Sequence, residues 1–139
     1  MDISELIGKT LKEIKQYEDG DDNDALKFIT VDDEEYLMCH YQSCCENVYI
    51  EDICGDLKDL LNTPILEAYE STEYWSEEDG VENYKGEKNE DGSFSPYGDY
   101  QWTFYILRTI KGSVTLRWYG SSNGYYSISV CFNKVGTEH

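Results

Sequence analysis

The sequence predicts an α+β domain, an antiparallel sheet of about six strands with one or two helices on one face. Three observations lead there. The opening run spaces its apolar residues as a helix does, short acidic corners punctuate alternating segments in the first half, and the last third reads as three strands joined by tight turns.

Taken in order, Met1 to Gln16 carries Ile3, Leu6, Ile7, Leu11 and Ile14 at helical spacing. Gly8 is a flaw in that helix, costing about 1 kcal/mol against alanine. Glu18 to Asp24 (EDGDDND) is a turn by composition. Ala25–Val31 and Glu35–Gln42 flank the Asp32-Asp33-Glu34 corner and predict a β-hairpin. Asn47–Ile53, with Val48, Ile50 and then Ile53, is a third strand. Gly55-Asp56 opens a short helix bearing Leu57, Leu60 and Leu61, which Asn62-Thr63-Pro64 stops. Leu66–Trp75 reads as a further strand.

Residues 76–100 are mostly Glu, Asp, Gly, Asn and Ser and predict one long acidic loop, or a hairpin with a mobile tip. Loops longer than about 15 residues are usually functional or lack structure of their own. Beyond it, Trp102, Phe104 and Ile106 alternate with Thr103, Tyr105 and Leu107. Lys111-Gly112 turns the chain into Val114–Trp118. Asn123-Gly124, a pair suited to turn positions with positive φ, turns it again into Tyr125–Phe132. These three strands predict a meander. No internal repeat appears, and residues 1–139 read as a single domain.

The 139 residues are 40% hydrophobic, enough for a core without disulfide or metal staples. Eleven Lys and Arg stand against 29 Asp and Glu, a net charge of −18. That balance disfavours direct binding to phosphate backbones, where affinity comes from basic side chains displacing counterions. It equally disfavours anionic membrane surfaces, and no apolar run approaches the roughly 18 residues of a spanning helix. The charge is also lopsided: residues 1–100 sum to −21, and residues 101–139 to +3. Asymmetry of this kind marks an interaction surface or serves solubility. The five cysteines are an odd set, and no basic stretch followed by an apolar run opens the sequence. Both features lead us to expect reduced thiols in a cytoplasm.

Cys39-His40-x3-Cys44-Cys45, with Cys54 further on, forms the candidate metal group. Thiolate and imidazole donors suit zinc, and the set His40, Cys44, Cys45 and Cys54 is the candidate ligand shell. The alternative is that the thiols are small buried apolar groups and His40 a hydrogen-bonded strand histidine. Enzyme signatures are missing: there is no phosphate loop, GxSxG or HExxH, and His40 is the one histidine besides His139. A non-enzymatic protein is expected. Trp102, Tyr105, Trp118, Tyr119, Tyr125 and Tyr126 fall on neighbouring strands of the meander. One face should be core, and aromatics on the other would suit protein contacts. Arg108 and Arg117 either join such a patch or pair with acids of the first half.

At His40-Tyr41-Gln42-Ser43-Cys44-Cys45-Glu46, Tyr49 to Asp56, and Arg117 to Ser127, the sequence resembles a family of small acidic phage and prophage proteins without a general assigned function. The matched stretches cover most of residues 25–66 and 101–132. Some phage-borne proteins of this size and acidity are anti-CRISPR inhibitors of the type II RNA-guided nuclease, and this chain is similar to that kind. The resemblance implies a bacterial host cytoplasm and adds weight to His40 and its nearby cysteines as zinc ligands. It also implies inhibition of a basic host nucleic-acid-handling protein, first of all that nuclease, by blocking target DNA loading. The carboxylates expected to make the contact are Glu18, Asp19, Asp21, Asp22 and Asp24, then Asp32, Asp33, Glu34 and Glu35, then the run from Glu77, Glu78 and Asp79 to Asp91. The alternatives are a phage protein that binds a nucleotide signal or other small ligand on the aromatic face, and a zinc-stabilised accessory protein with another partner.

Overall fold

A computed structural model describes residues 2–18, 24–41, 46–75, 99–122 and 128–135. It is all-β. Eight strands run β1 Leu11–Glu18, β2 Asp24–Thr30, β3 Glu35–Cys39, β4 Asn47–Cys54, β5 Glu67–Trp75, β6 Asp99–Thr109, β7 Gly112–Ser122 and β8 Cys131–Lys134. They form two antiparallel four-stranded sheets, ordered β1-β2-β3-β8 and β4-β7-β6-β5.

The α+β expectation is therefore overturned. Among the described residues the only helical elements are two short 3-10 turns, Ile3–Leu6 and Leu57–Leu60. The first ends because Gly8 adopts φ 87°, open to glycine and strained for other residues. The helical spacing that continues into Leu11 and Ile14 has another cause. The β1–β2 register shifts between Leu11 and Glu13. A bulge of this kind lets residues three apart face the same side of a strand, and both side chains pack into the core. The spacing of Ile50 and Ile53 arises in the same way, with a register shift between Ile50 and Asp52. At the second turn Asp56 caps the chain as expected, its Oδ1 accepting from the Lys58 N–H at 2.9 Å. Only four residues separate that cap from Leu61, which is too few to sustain an α-helix.

The meander is corrected too. Strands β6 and β7 do form a hairpin, but β7 is flanked by β6 on one side and β4 on the other. No edge remains there for a third strand. After β7 the chain crosses to the other sheet, and β8 takes the free edge of β3, with Met38 opposite Phe132. Strand β4 accordingly belongs with β7 and not beside the β2–β3 hairpin. The stretch expected as a loop at residues 76–100 lies outside the described residues, except that Asp99 and Tyr100 already belong to β6.

The two sheets meet over a shared core. Leu26, Phe28, Tyr36, Met38 and Phe132 come from one, and Val48, Ala68, Tyr105, Leu107, Val114, Leu116 and Trp118 from the other. Phe132 stacks on Tyr36 at 5.5 Å between centroids and meets Phe28 edge-on at 6.1 Å. Trp118 reaches across, and its Nε1–H donates to the Met38 sulfur at 3.3 Å. On β7 buried and part-exposed residues alternate through Val114, Leu116, Trp118, Gly120 and Ser122. The sheet therefore presents Arg117, Tyr119 and their neighbours outward.

Gly120 marks the closest approach in this packing. A Cβ there would lie 2.9 Å from Ile128 Cβ and 3.0 Å from its carbonyl oxygen. Gly120→Ala is expected to destabilise the fold by about 1–3 kcal/mol. The change should appear as a lower urea midpoint with an unchanged m-value.

Candidate functional site

The outward face of the second sheet carries a row of aromatic rings. Across the ladder Tyr49 stands opposite Tyr119, and Tyr119 opposite Trp102. Their centroids are 5.6 Å and 5.1 Å apart, and Tyr100 lies 6.2 Å from Tyr119. Offset, tilted contacts at these distances are favourable ring geometries. Tyr49 is 38% exposed, and Tyr69, lower on the same face, is 52% exposed. The opposite face of these strands holds Tyr105 and Trp118, which are buried. The expected division of aromatics between core and surface thus holds for the described residues, while Tyr125 and Tyr126 lie outside them. Burial and a hydrogen bond to Glu70 hold the Tyr105 hydroxyl well above the usual tyrosine range.

Arg117 lies beside the row and Arg108 further along the same face, and both pair with acids of the first half. Arg108 Nε lies 3.1 Å from Glu67 Oε2. Arg117 Nε approaches Glu51 Oε1 at 2.7 Å, an electrostatic contact without hydrogen-bond alignment. Asp52 stands opposite Arg117 on the ladder. One guanidinium therefore sits among two carboxylates, and that corner remains negative.

The carboxylates expected to contact a partner divide differently from the sequence reading. The side chain of Glu18, and Asp19, Asp21, Asp22, Glu77, Glu78, Asp79 and the run to Asp91, lie outside the described residues. Asp24 serves the fold: its Oδ2 accepts from the Ile50 N–H at 2.7 Å, joining one sheet to the edge strand of the other. At the β2–β3 turn Asp33 pairs with Lys12, and Glu35 pairs with Lys27 at 3.2 Å. Glu34 receives Lys9 at 3.0 Å and Lys134 at 2.9 Å. Asp32, the remaining carboxylate of this run, is exposed. The Glu34 cluster links β3 to the start of β1 and the end of β8. Sequence reasoning missed it because its lysines come from distant stretches that only the sheet order brings together.

Of the expected zinc group His40, Cys44, Cys45 and Cys54, His40 and Cys54 lie among the described residues. His40 is buried, and its ring is held on both sides. Nδ1 donates to the Ser129 carbonyl at 2.7 Å, since a carbonyl can only accept, and Nε2 lies 2.8 Å from Glu46 Oε2. Glu46 immediately precedes β4, whereas Cys54 ends it. At about 3.3 Å per residue, more than about 20 Å of strand separates the His40 corner from Cys54. Those two residues do not share one ion. Cys44 and Cys45 lie outside the described residues, and among the described residues no group of three His, Cys, Asp or Glu gathers to hold a metal.

A model of a domain of unknown function, DUF7448, matches residues 4–132, spanning both sheets and the His40 corner. The chain belongs to the DUF7448 family. No curated protein and no solved structure matches it. In this DUF7448 domain Cys39, Cys54 and Cys131 are free thiols. Burial raises the Cys39 thiol above its ordinary range, opposed by a hydrogen bond from Tyr41.

Two outcomes are expected for the polar clusters of the DUF7448 domain. The Lys134 and Lys9 hydrogen bonds hold the Glu34 carboxyl below the usual carboxylate range, and the same carboxylate raises both lysines. A depressed folded value adds stability that is complete above the unfolded pKa of about 4.3 and is lost as pH falls through the lower folded value. Thermal melts across acid pH should therefore fall more steeply for the parent chain than for Glu34→Gln. His40→Ala removes the bonds to Ser129 and Glu46 from a buried corner. It should cost about 2–3 kcal/mol in denaturant unfolding.

Proposed function

We propose that this DUF7448 domain is a non-enzymatic binding protein that engages a cationic protein surface through the outward face of its second sheet. The observation that carries the reading is the Tyr49–Tyr119–Trp102 row in a chain of net charge −18. Aromatic faces attract Arg and Lys by roughly 0.5–2 kcal/mol each, more as water is excluded. Aromatic side chains held rigidly on strands also make efficient contact area. The overall negative charge adds long-range attraction, which speeds encounter and selects partners.

A basic host nucleic-acid-handling protein fits this description. The resemblance at His40–Glu46 and Arg117–Ser127 to phage and prophage proteins makes the type II RNA-guided nuclease the first candidate. Such nucleases hold their heteroduplex in a basic channel and read the adjoining duplex with arginines. An acidic, aromatic face seated on that surface would block loading of target DNA. Capture of a nucleotide signal draws less support, because Arg108 and Arg117 are already paired with carboxylates.

The deciding experiment titrates the protein into a cleavage reaction, before and after target DNA is added, at two salt concentrations. Inhibition is expected only when the protein precedes DNA, and it should weaken steeply with salt. The Trp102→Ala, Tyr119→Ala double variant, with its fold checked by circular dichroism, should bind at least about tenfold more weakly. Absence of inhibition at large molar excess across several nucleases would remove the nuclease from the reading.

A further inference from the structure

Cys39 and Cys131 stand directly opposite each other on β3 and β8. They are far apart in sequence and meet only because the chain crosses between sheets after β7. Their inward neighbours Met38 and Phe132 are buried in the core, so both thiols face outward. Both are part-exposed and free. The next position along the same outward row is Ala25, opposite Cys39 on β2. Its side chain is small, and the Cys39 sulfur takes a hydrogen bond from Tyr41.

The phase of the ladder fixes their separation. The Val135 N–H donates to the Glu35 carbonyl at 2.8 Å, which makes positions 35 and 135 a hydrogen-bonded pair. In an antiparallel ladder such pairs recur every second residue, so 37/133 and 39/131 are hydrogen-bonded pairs as well. Facing Cα atoms in these pairs lie about 5.5 Å apart. That is the commonest Cα separation in disulfides, while Cβ atoms at such positions need to close by about 1 Å. Strand β8 is four residues long and lies at the edge of its sheet. It is the element of that sheet best able to yield such a shift.

We propose that Cys39 and Cys131 are a reversible oxidation site that forms a cross-strand disulfide by exchange with a small-molecule disulfide such as oxidised glutathione. One thiolate attacks the small disulfide, forms a mixed disulfide and releases one small thiol. The second protein thiolate then attacks the protein sulfur of that mixed bond and releases the other. Two protein thiols and one small disulfide become one protein disulfide and two small thiols, so electrons and protons balance. The product ties β8 to β3 and closes the long chain segment between them. Some strain at the Cβ positions would leave the bond easily reduced.

The test uses the full chain and a Cys44→Ser, Cys45→Ser, Cys54→Ser variant that keeps only the two facing cysteines. Each is incubated with oxidised glutathione and followed by intact mass, non-reducing peptide mapping and thermal melting. The expected product in both has lost two hydrogens, links the peptides holding Cys39 and Cys131, and melts about 3–10 °C higher. Dithiothreitol should reverse all three changes. Cys131→Ser in the same background should instead retain one glutathione on Cys39. A glutathione adduct that persists in the two-cysteine variant without an internal bond would overturn the proposal. So would a linkage in the full chain that excludes either residue.

Discussion

The architecture turns on the contact between Trp118 and Met38. An indole is the largest side chain a core can hold, and its N–H is costly to bury without an acceptor. Here the ring is almost fully enclosed, and its N–H finds the Met38 sulfur in the opposite sheet. A thioether is a weak acceptor, so the gain comes mainly from packing, with the bond fixing orientation. Once Trp118 points inward, the two-residue period of β7 sends Arg117 and Tyr119 outward. The aromatic row and its arginine corner follow from that single choice of face.

Much of the strand content was legible in the chain. Alternation around Trp102 to Leu107, the Asp32-Asp33 corner and the run ending at Trp75 all mark strands that exist, with ends up to three residues from those expected. The first helix was misread because a β-bulge and a helix can impose the same three-residue spacing. Leu11 and Ile14 are consistent with both, and only the pairing with β2 decides between them. The meander failed for a different reason. Local sequence reports where a turn lies, but not whether the next strand finds an open edge, and β7 had none.

Site residues show the same limit. Asp33, Glu34 and Glu35 look like a solvated acidic run when only their neighbours in sequence are considered. Their lysine partners, Lys12, Lys9, Lys134 and Lys27, come from three other strands or their ends. The pairing of Arg108 and Arg117 with first-half acids was foreseeable, because an acidic chain offers many carboxylates and few cations. Tyr49 was not singled out. It joins the aromatic row only through the β4–β7 ladder, for which the sequence carries no local sign. His40 drew attention as a metal donor because of the cysteines beside it, yet the carbonyl of Ser129 and the carboxylate of Glu46 hold its ring.

The crossing of β8 into the first sheet also orders events during translation. Strands β1, β2 and β3 leave the ribosome early, but the fourth strand of their sheet emerges only after all of the second sheet has been made. Until then β3 exposes an open row of amides and carbonyls, and the Tyr36 ring lacks the Phe132 ring that stacks on it. The nascent domain therefore completes its fold late, through contacts distant in sequence, which is slow for β proteins. During that interval the open β3 edge is where a neighbouring nascent chain could add a strand.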